Sequence, residues 1–321
     1  MSSNKRPIRF GLALAQVNSS WDEVLEFARA AERLGFDSLW AIDHFVGVPE
    51  ASVPIFEGWT TMAALATATE KIGLGHQVLC VGFRHPPLLA KMAATLDHAS
   101  NGRFTLGLGA GWHEDEFKSY GLSFPSIGTR LNQLDEALAI IKKLWTEEPV
   151  SYFGEQFHVE DAYARPRPLQ EPHPPILVGG SGEKVLLKIV AEHADIWNNM
   201  GWAQSHLRHK IEVLHRHCDS FKRDPAEIEI SQQLLAAIGE TETEAKVAKE
   251  RVCAELPFLS GGDDLIIAGR PEQCIERVQR TIDMGATTLL LSFGRRPSVE
   301  TLELFATEVM SRFRSSTDPA P

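Results

Sequence analysis

Eight short apolar runs, each separated from the next by a stretch with helical periodicity, limit this chain more than any other feature. They cover residues 8–14, 38–42, 72–79, 104–109, 176–179, 195–199, 228–236 and 288–293. Several are apolar almost throughout, the pattern of strands buried on both faces of a parallel sheet. Strand alternating with helix eight times predicts an α/β fold, a (β/α)8 barrel of the TIM type. A doubly wound open sheet shares the alternation. Its dinucleotide fingerprint, GxGxxG directly after the first strand, is missing here.

The segments between the strands carry helix signals. Ser20-Trp-Asp-Glu23 is a capping box, followed by an apolar stripe of Trp21, Val24, Leu25, Ala28, Ala31 and Leu34. Gly35 and Gly285 stand where a helix must turn sharply into the next strand, a place for left-handed backbone. Thr241-Glu-Thr-Glu244 opens a late, charged helix. The spacing is uneven twice, predicting insertions after strands four and seven. Residues 110–175 hold one expected helix and then the Pro-rich connector 165–175, and a second excess includes 257–269. Long loops in a barrel are commonly lids or binding loops. No break in composition divides the chain, so residues 1–321 read as one barrel domain with tails at 1–7 and 315–321.

The formal net charge of −11 argues against non-specific binding to nucleic acid or anionic membrane. No apolar run reaches the length of a membrane span. The four cysteines are scattered without metal spacing, which suits reduced packing residues in the cytoplasm.

In a TIM barrel the chemistry belongs at the C-terminal ends of the strands. After strand two comes Asp43-His44-Phe45. An imidazole there can exchange a proton with a bound molecule, with Asp43 orienting it or touching a cofactor directly. Equally, Asp43 can cap a turn while His44 faces water. The loop after strand three carries Arg84 and a proline pair and reads as a plain turn. Residues 102–112 contain GxGxG, but Trp112 stands where a nicotinamide fingerprint needs Gly or Ala. Glycines here instead admit a flat ligand close to the backbone. Glu114, Asp115 and Glu116 read as a solvated helix start. Residues 178–184, Val-Gly-Gly-Ser-Gly-Glu-Lys, lead a strand into a helix and form a candidate anion cradle. Asn198-Asn-Met-Gly-Trp202 either faces a substrate or closes a turn. His206, His209, His215 and His217 share one expected helix without carboxylates at ligand spacing, so no metal site is expected.

Taken in order, the segments AAERLGFDSLWAIDHF (30–45), FRHPPLLA (83–90), TLDHASNGRFTLGLGAGWHEDEF (95–117) and PPILVGGSGEKVLLKIVAEHADIW (174–197) resemble the bacterial-luciferase-like family of flavin and deazaflavin oxidoreductases. The resemblance implies a TIM-type barrel with coenzyme F420 or FMN over its mouth. It places Asp43 and His44 beside the reactive ring carbon as catalytic residues, with Asp43 also touching the cofactor. Gln77 and Val78 would form a strand-three bulge, often with a non-prolyl cis peptide, behind the ring. Ala110 and Gly111 would flank the ring, and Gly179, Gly180, Ser181 and Gly182 would hold the phosphate. The DHF and GLGAGWHEDEF runs are closer to F420-using members, so F420 is the expected cofactor and FMN the alternative. Members that oxidise sugar phosphates have a glutamate where this chain has Trp112, and a lysine where it has Ala203. That departure implies a small, largely apolar substrate. The alternatives are an FMN-dependent monooxygenase and a non-catalytic cofactor-binding barrel, and a homodimer is the usual assembly.

Overall fold

The computed structural model describes residues 6–259 and 266–314, so most of the two expected tails and residues 260–265 of the second insertion lie outside the described residues. The eight expected strands are β1 (Arg9–Ala13), β2 (Ser38–Ala41), β3 (Gly73–His76), β4 (Phe104–Gly109), β5 (Ile176–Gly179), β6 (Ile196–Asn199), β7 (Glu229–Ile238) and β8 (Thr288–Ser292). Each pairs in parallel with its neighbours in chain order, and β8 pairs with β1, which closes the barrel. Around it lie α1 (Trp21–Arg33), α2 (Gly58–Ala68), α3 (Pro86–Ala99), α4 (Glu114–Ser119), α5 (Ile127–Thr146), α6 (Leu186–His193), α7 (Leu207–Phe221), α8 (Glu242–Glu255), α9 (Pro271–Asp283) and α10 (Val299–Glu308). Both expected capping boxes form, Ser20 with Glu23 and Thr241 with Glu244.

The barrel interior is a packed core. Trp40, Leu177, Ile196 and Leu290 make one buried cluster, with Val78 against it. Trp40 fits because β1 and β3 are bare beside it: a Cβ on Gly11 would lie 2.7 Å from its indole nitrogen, and one on Gly75 2.5 Å from its ring. Gly107 is more constrained still, since a Cβ there would fall 1.7 Å from the His76 carbonyl oxygen.

Two stretches differ from expectation. Residues 110–175 hold two helices, α4 and α5, and an antiparallel hairpin of Val150–Phe153 with His158–Ala162. The hairpin turn is held by the Glu136 carboxylate of α5, which accepts N–H groups from Glu155 at 2.9 Å and Phe157 at 3.0 Å. In the second insertion, Ile266–Gly269 is a short strand rather than loop. β7 is ten residues long and runs on after β6 ends, and its free edge takes up this strand from Leu235 to Ile238. Behind the pair, Leu235, Ala237, Val252, Leu259, Ile266 and Ala268 form a second small core. Among the described residues no helix is long and apolar enough to cross a membrane.

His76, at the end of β3, is fully buried and stacks on Trp59 with ring centroids 5.3 Å apart. Burial pushes its pKa down to about 4 from the ordinary 6.5. As pH falls through this window the unfolded chain takes up a proton that the native chain refuses. The stabilisation present above pH 6.5 is therefore lost toward pH 4, by up to about 3 kcal/mol. Denaturant unfolding across that range is expected to show a shallower pH dependence for His76→Gln than for the native chain, and equal slopes would contradict it.

Candidate active site

The C-terminal ends of the strands converge on one mouth, and two carboxylates organise it. From the end of β2, Asp43 turns inward, with its side chain only 1% exposed. Oδ2 accepts the Cys80 N–H at 2.8 Å and one Arg84 nitrogen at 2.8 Å, while Oδ1 accepts the other at 2.9 Å. Arg84 also donates to Glu57 at 2.6 Å. Glu57 in turn caps α2 through the N–H groups of Trp59 and Thr60. A single guanidinium thus ties the loop after β2, the loop after β3 and the start of α2. Burial alone would lower the Arg84 pKa, but Asp43 and Glu57 hold it above its ordinary value.

Glu116 is the second organiser. It is 2% exposed on α4, not solvated as its place in an acidic run suggests, whereas Glu114 and Asp115 beside it are exposed. Its Oε2 meets His44 Nδ1 at 2.9 Å, and its Oε1 accepts Phe45 N–H at 2.5 Å and Val46 N–H at 3.2 Å. Burial pushes this carboxyl up, but the bond from His44, the charge of that ring when it is protonated, and the two N–H groups hold it below the ordinary carboxylate value. The His44 ring lies edge-on to Trp112, with centroids 5.6 Å apart. Trp112 itself is 58% exposed at the mouth.

The glycines expected to touch a ligand mostly accommodate protein. The Gln77–Val78 peptide is cis. Val78 packs over the ends of β4 and β5, where a Cβ on Gly109 would come within 2.6 Å of it and one on Gly179 within 2.7 Å. Val78 is therefore an apolar floor between these strands. Gly111, with φ +76°, makes room for the Cys80 sulfur beside Ala110, and Gly180 for Leu186. Of these only Gly182 would take a Cβ at ordinary contact distance, its nearest neighbour being Leu186 Cβ at 3.6 Å. The Ser181 hydroxyl is committed inward, donating to Asn199 at 2.9 Å and accepting Met200 N–H at 3.2 Å. Beneath this turn lies a cation that sequence reasoning passed over: Lys210 Nζ donates to the Ser181 carbonyl at 2.7 Å and to Glu183 at 2.9 Å. The turn spans 183–185, so α6 begins later than the glycine-rich run suggests.

Two buried amide nitrogens at the mouth, Gln77 Nε2 and Asn198 Nδ2, have no hydrogen-bond partner among the described residues. Asn198 shares the inner face of β6 with Ile196, two residues before it, and its Oδ1 accepts from Ser231 at 3.0 Å. The helix α7 histidines make ordinary surface contacts, His209 with Glu183 and His217 with the Glu183 carbonyl. Asp135, Glu192 and His193 could gather around a cation, but at the end of α6 that leads into β6, opposite the mouth.

Residues 7–260 match the family model for luciferase-like monooxygenases. The chain belongs to this luciferase-like family. Among its relatives is an F420-dependent glucose-6-phosphate dehydrogenase of Microbacterium testaceum, 27% identical over 96% of this chain and 98% of that protein. Solved structures with the same fold include an F420-dependent secondary alcohol dehydrogenase, with TM-score 0.82 and 22% identity over 96% of this chain and all of that one. The monooxygenase RslO1 of Streptomyces bottropensis is as close, with TM-score 0.81 and 22% identity over the same shares.

In this luciferase-like chain the two residues of the expected pair have different partners. His44 stands at the mouth, whereas both Asp43 oxygens are taken up by Arg84 and Cys80, so Asp43 anchors the loop that carries His44. Removing Arg84 alone leaves a buried carboxylate without its cation. Arg84→Met is expected to cost about 3–5 kcal/mol of stability, and Asp43→Asn added to it to restore part of that loss. Thermal unfolding of the single and double variants checks this, and a double variant less stable than Arg84→Met would contradict it.

Proposed function

We propose that this luciferase-like chain is a coenzyme F420-dependent oxidoreductase acting on a small, largely apolar alcohol or carbonyl compound. The observation that carries the reading is His44, fixed at the mouth through Nδ1 with Nε2 bonded to nothing among the described residues, in a chain with a full-length relative that acts with F420. The site suits a flat heterocycle. The amide nitrogens of Gln77 and Asn198, without partners among the described residues, supply donors for the carbonyl and ring-nitrogen acceptors of a deazaflavin, and Val78 supplies an apolar floor. At the turn around Gly182 a phosphate would find backbone N–H groups, with the Lys210–Glu183 pair holding the turn in place.

When bound, the deazaflavin supplies a ring carbon that accepts or gives a hydride. His44 takes the hydroxyl proton of an alcohol as the hydride departs from the carbon bearing it, leaving a carbonyl product, and returns that proton in the reverse direction. Arg84 and Glu116 keep the loop in place, so little reorganisation is needed during the reaction. Trp112 and Trp202, each more than half exposed after β4 and β6, give the substrate an aromatic rim. Neither offers a charge to a sugar phosphate. FMN-dependent monooxygenation is the second reading, favoured by the equal structural likeness to a monooxygenase.

Fluorescence titration of the apo protein with F420 and with FMN separates the two. F420 binding tighter than FMN is expected, and micromolar FMN binding without F420 affinity overturns the proposal. His44→Ala is expected to lower turnover at least a hundredfold with F420 affinity retained. Unchanged turnover would remove His44 from the chemistry.

A further inference from the structure

His44 and His113 lie with ring centroids 6.0 Å apart, and Glu116 meets both in opposite senses. The Glu116 backbone N–H donates to His113 Nδ1 at 3.1 Å, so that nitrogen is an acceptor and a neutral His113 carries its proton on Nε2. The Glu116 carboxylate, with two backbone N–H groups donating to Oε1, only accepts. Against its Oε2, His44 Nδ1 has to be the donor, at 2.9 Å.

We infer that Glu116 is a positioning residue that locks neutral His44 as the Nδ1–H tautomer, leaving Nε2 as a bare acceptor for the substrate proton. The role deepens the proposed function and rests on it for its catalytic meaning, although the tautomer itself follows from the protein contacts alone. The carboxylate can do this because it divides its work. Oε1 is held by two backbone donors, Phe45 and Val46 N–H, and Oε2 is left for the imidazole. A near-isosteric amide cannot keep that division. In Glu116→Gln, the carboxamide oxygen is claimed by the two backbone donors, because the opposite orientation would set its NH2 against both. The NH2 then faces His44 Nδ1 and donates to it. The imidazole proton moves to Nε2, so the atom facing the substrate changes from acceptor to donor. One neutral substitution thus inverts the tautomer while the loop keeps its hydrogen bonds.

Long-range 15N–1H correlation spectra of protein labelled at histidine nitrogen, recorded at alkaline pH, read the tautomer directly. His44→Ala and His113→Ala identify the two rings among twelve histidines. In the native protein His44 is expected as Nδ1–H and His113 as Nε2–H. In Glu116→Gln, His44 is expected to change to Nε2–H, with His113 unchanged as an internal control and turnover at least tenfold lower at unaltered F420 affinity. A native His44 found as Nε2–H overturns the inference even if the Gln variant does not fold, and so does a folded Gln variant that retains Nδ1–H. An inverted tautomer with undiminished turnover supports the assignment and removes proton transfer at His44 from the proposed function instead.

Discussion

The mouth of this barrel depends on a buried ion pair. Arg84 and Asp43 face each other through two hydrogen bonds, and Arg84 carries a third to Glu57. Two charges withdrawn from water are costly to hold, and the cost is offset only where the geometry satisfies nearly every donor and acceptor. Here the Asp43 carboxylate also receives the Cys80 N–H, and Glu57 also caps α2. The same few atoms therefore help to fix three chain segments at the mouth. Glu116 repeats the device one strand further round, joining α4 to the loop after β2. His44 inherits its position from both.

Below these charges, shape matters more than polarity. Glycines on β1, β3, β4 and β5 are required by bulk elsewhere: Trp40 fills the room left by Gly11 and Gly75, the His76 carbonyl that of Gly107, and Val78 that of Gly109 and Gly179. The interior is thus filled up to Val78, and a ligand has to lie above it. The amide nitrogens of Gln77 and Asn198 have no hydrogen-bond partner among the described residues.

Much of the architecture was legible in the sequence because buried parallel strands are nearly continuous in hydrophobicity, and all eight runs became barrel strands. The strand Ile266–Gly269 was not, since four residues carry no periodicity and its role follows from the length of β7. The hairpin at 150–162 depends on a Glu136 carboxylate some twenty positions upstream, a long-range contact that no local pattern encodes. Asp43 and His44 were visible together, but their separate partners, Arg84 and Glu116, were not, because an aspartate looks the same beside a ligand or inside an ion pair. Arg84 and Glu116 were undervalued for a related reason. In a turn, or in the acidic first turn of a helix, a charged residue ordinarily faces water, and only tertiary packing shows that these two do not.

A crystal structure of the protein with bound F420 tests the account most directly. It predicts the deazaflavin ring resting on Val78, His44 Nε2 facing the space beside the ring, the phosphate at the turn around Gly182, and Asp43 still paired with Arg84. A cofactor bound elsewhere, or Asp43 released from Arg84 to touch the ring, would contradict it.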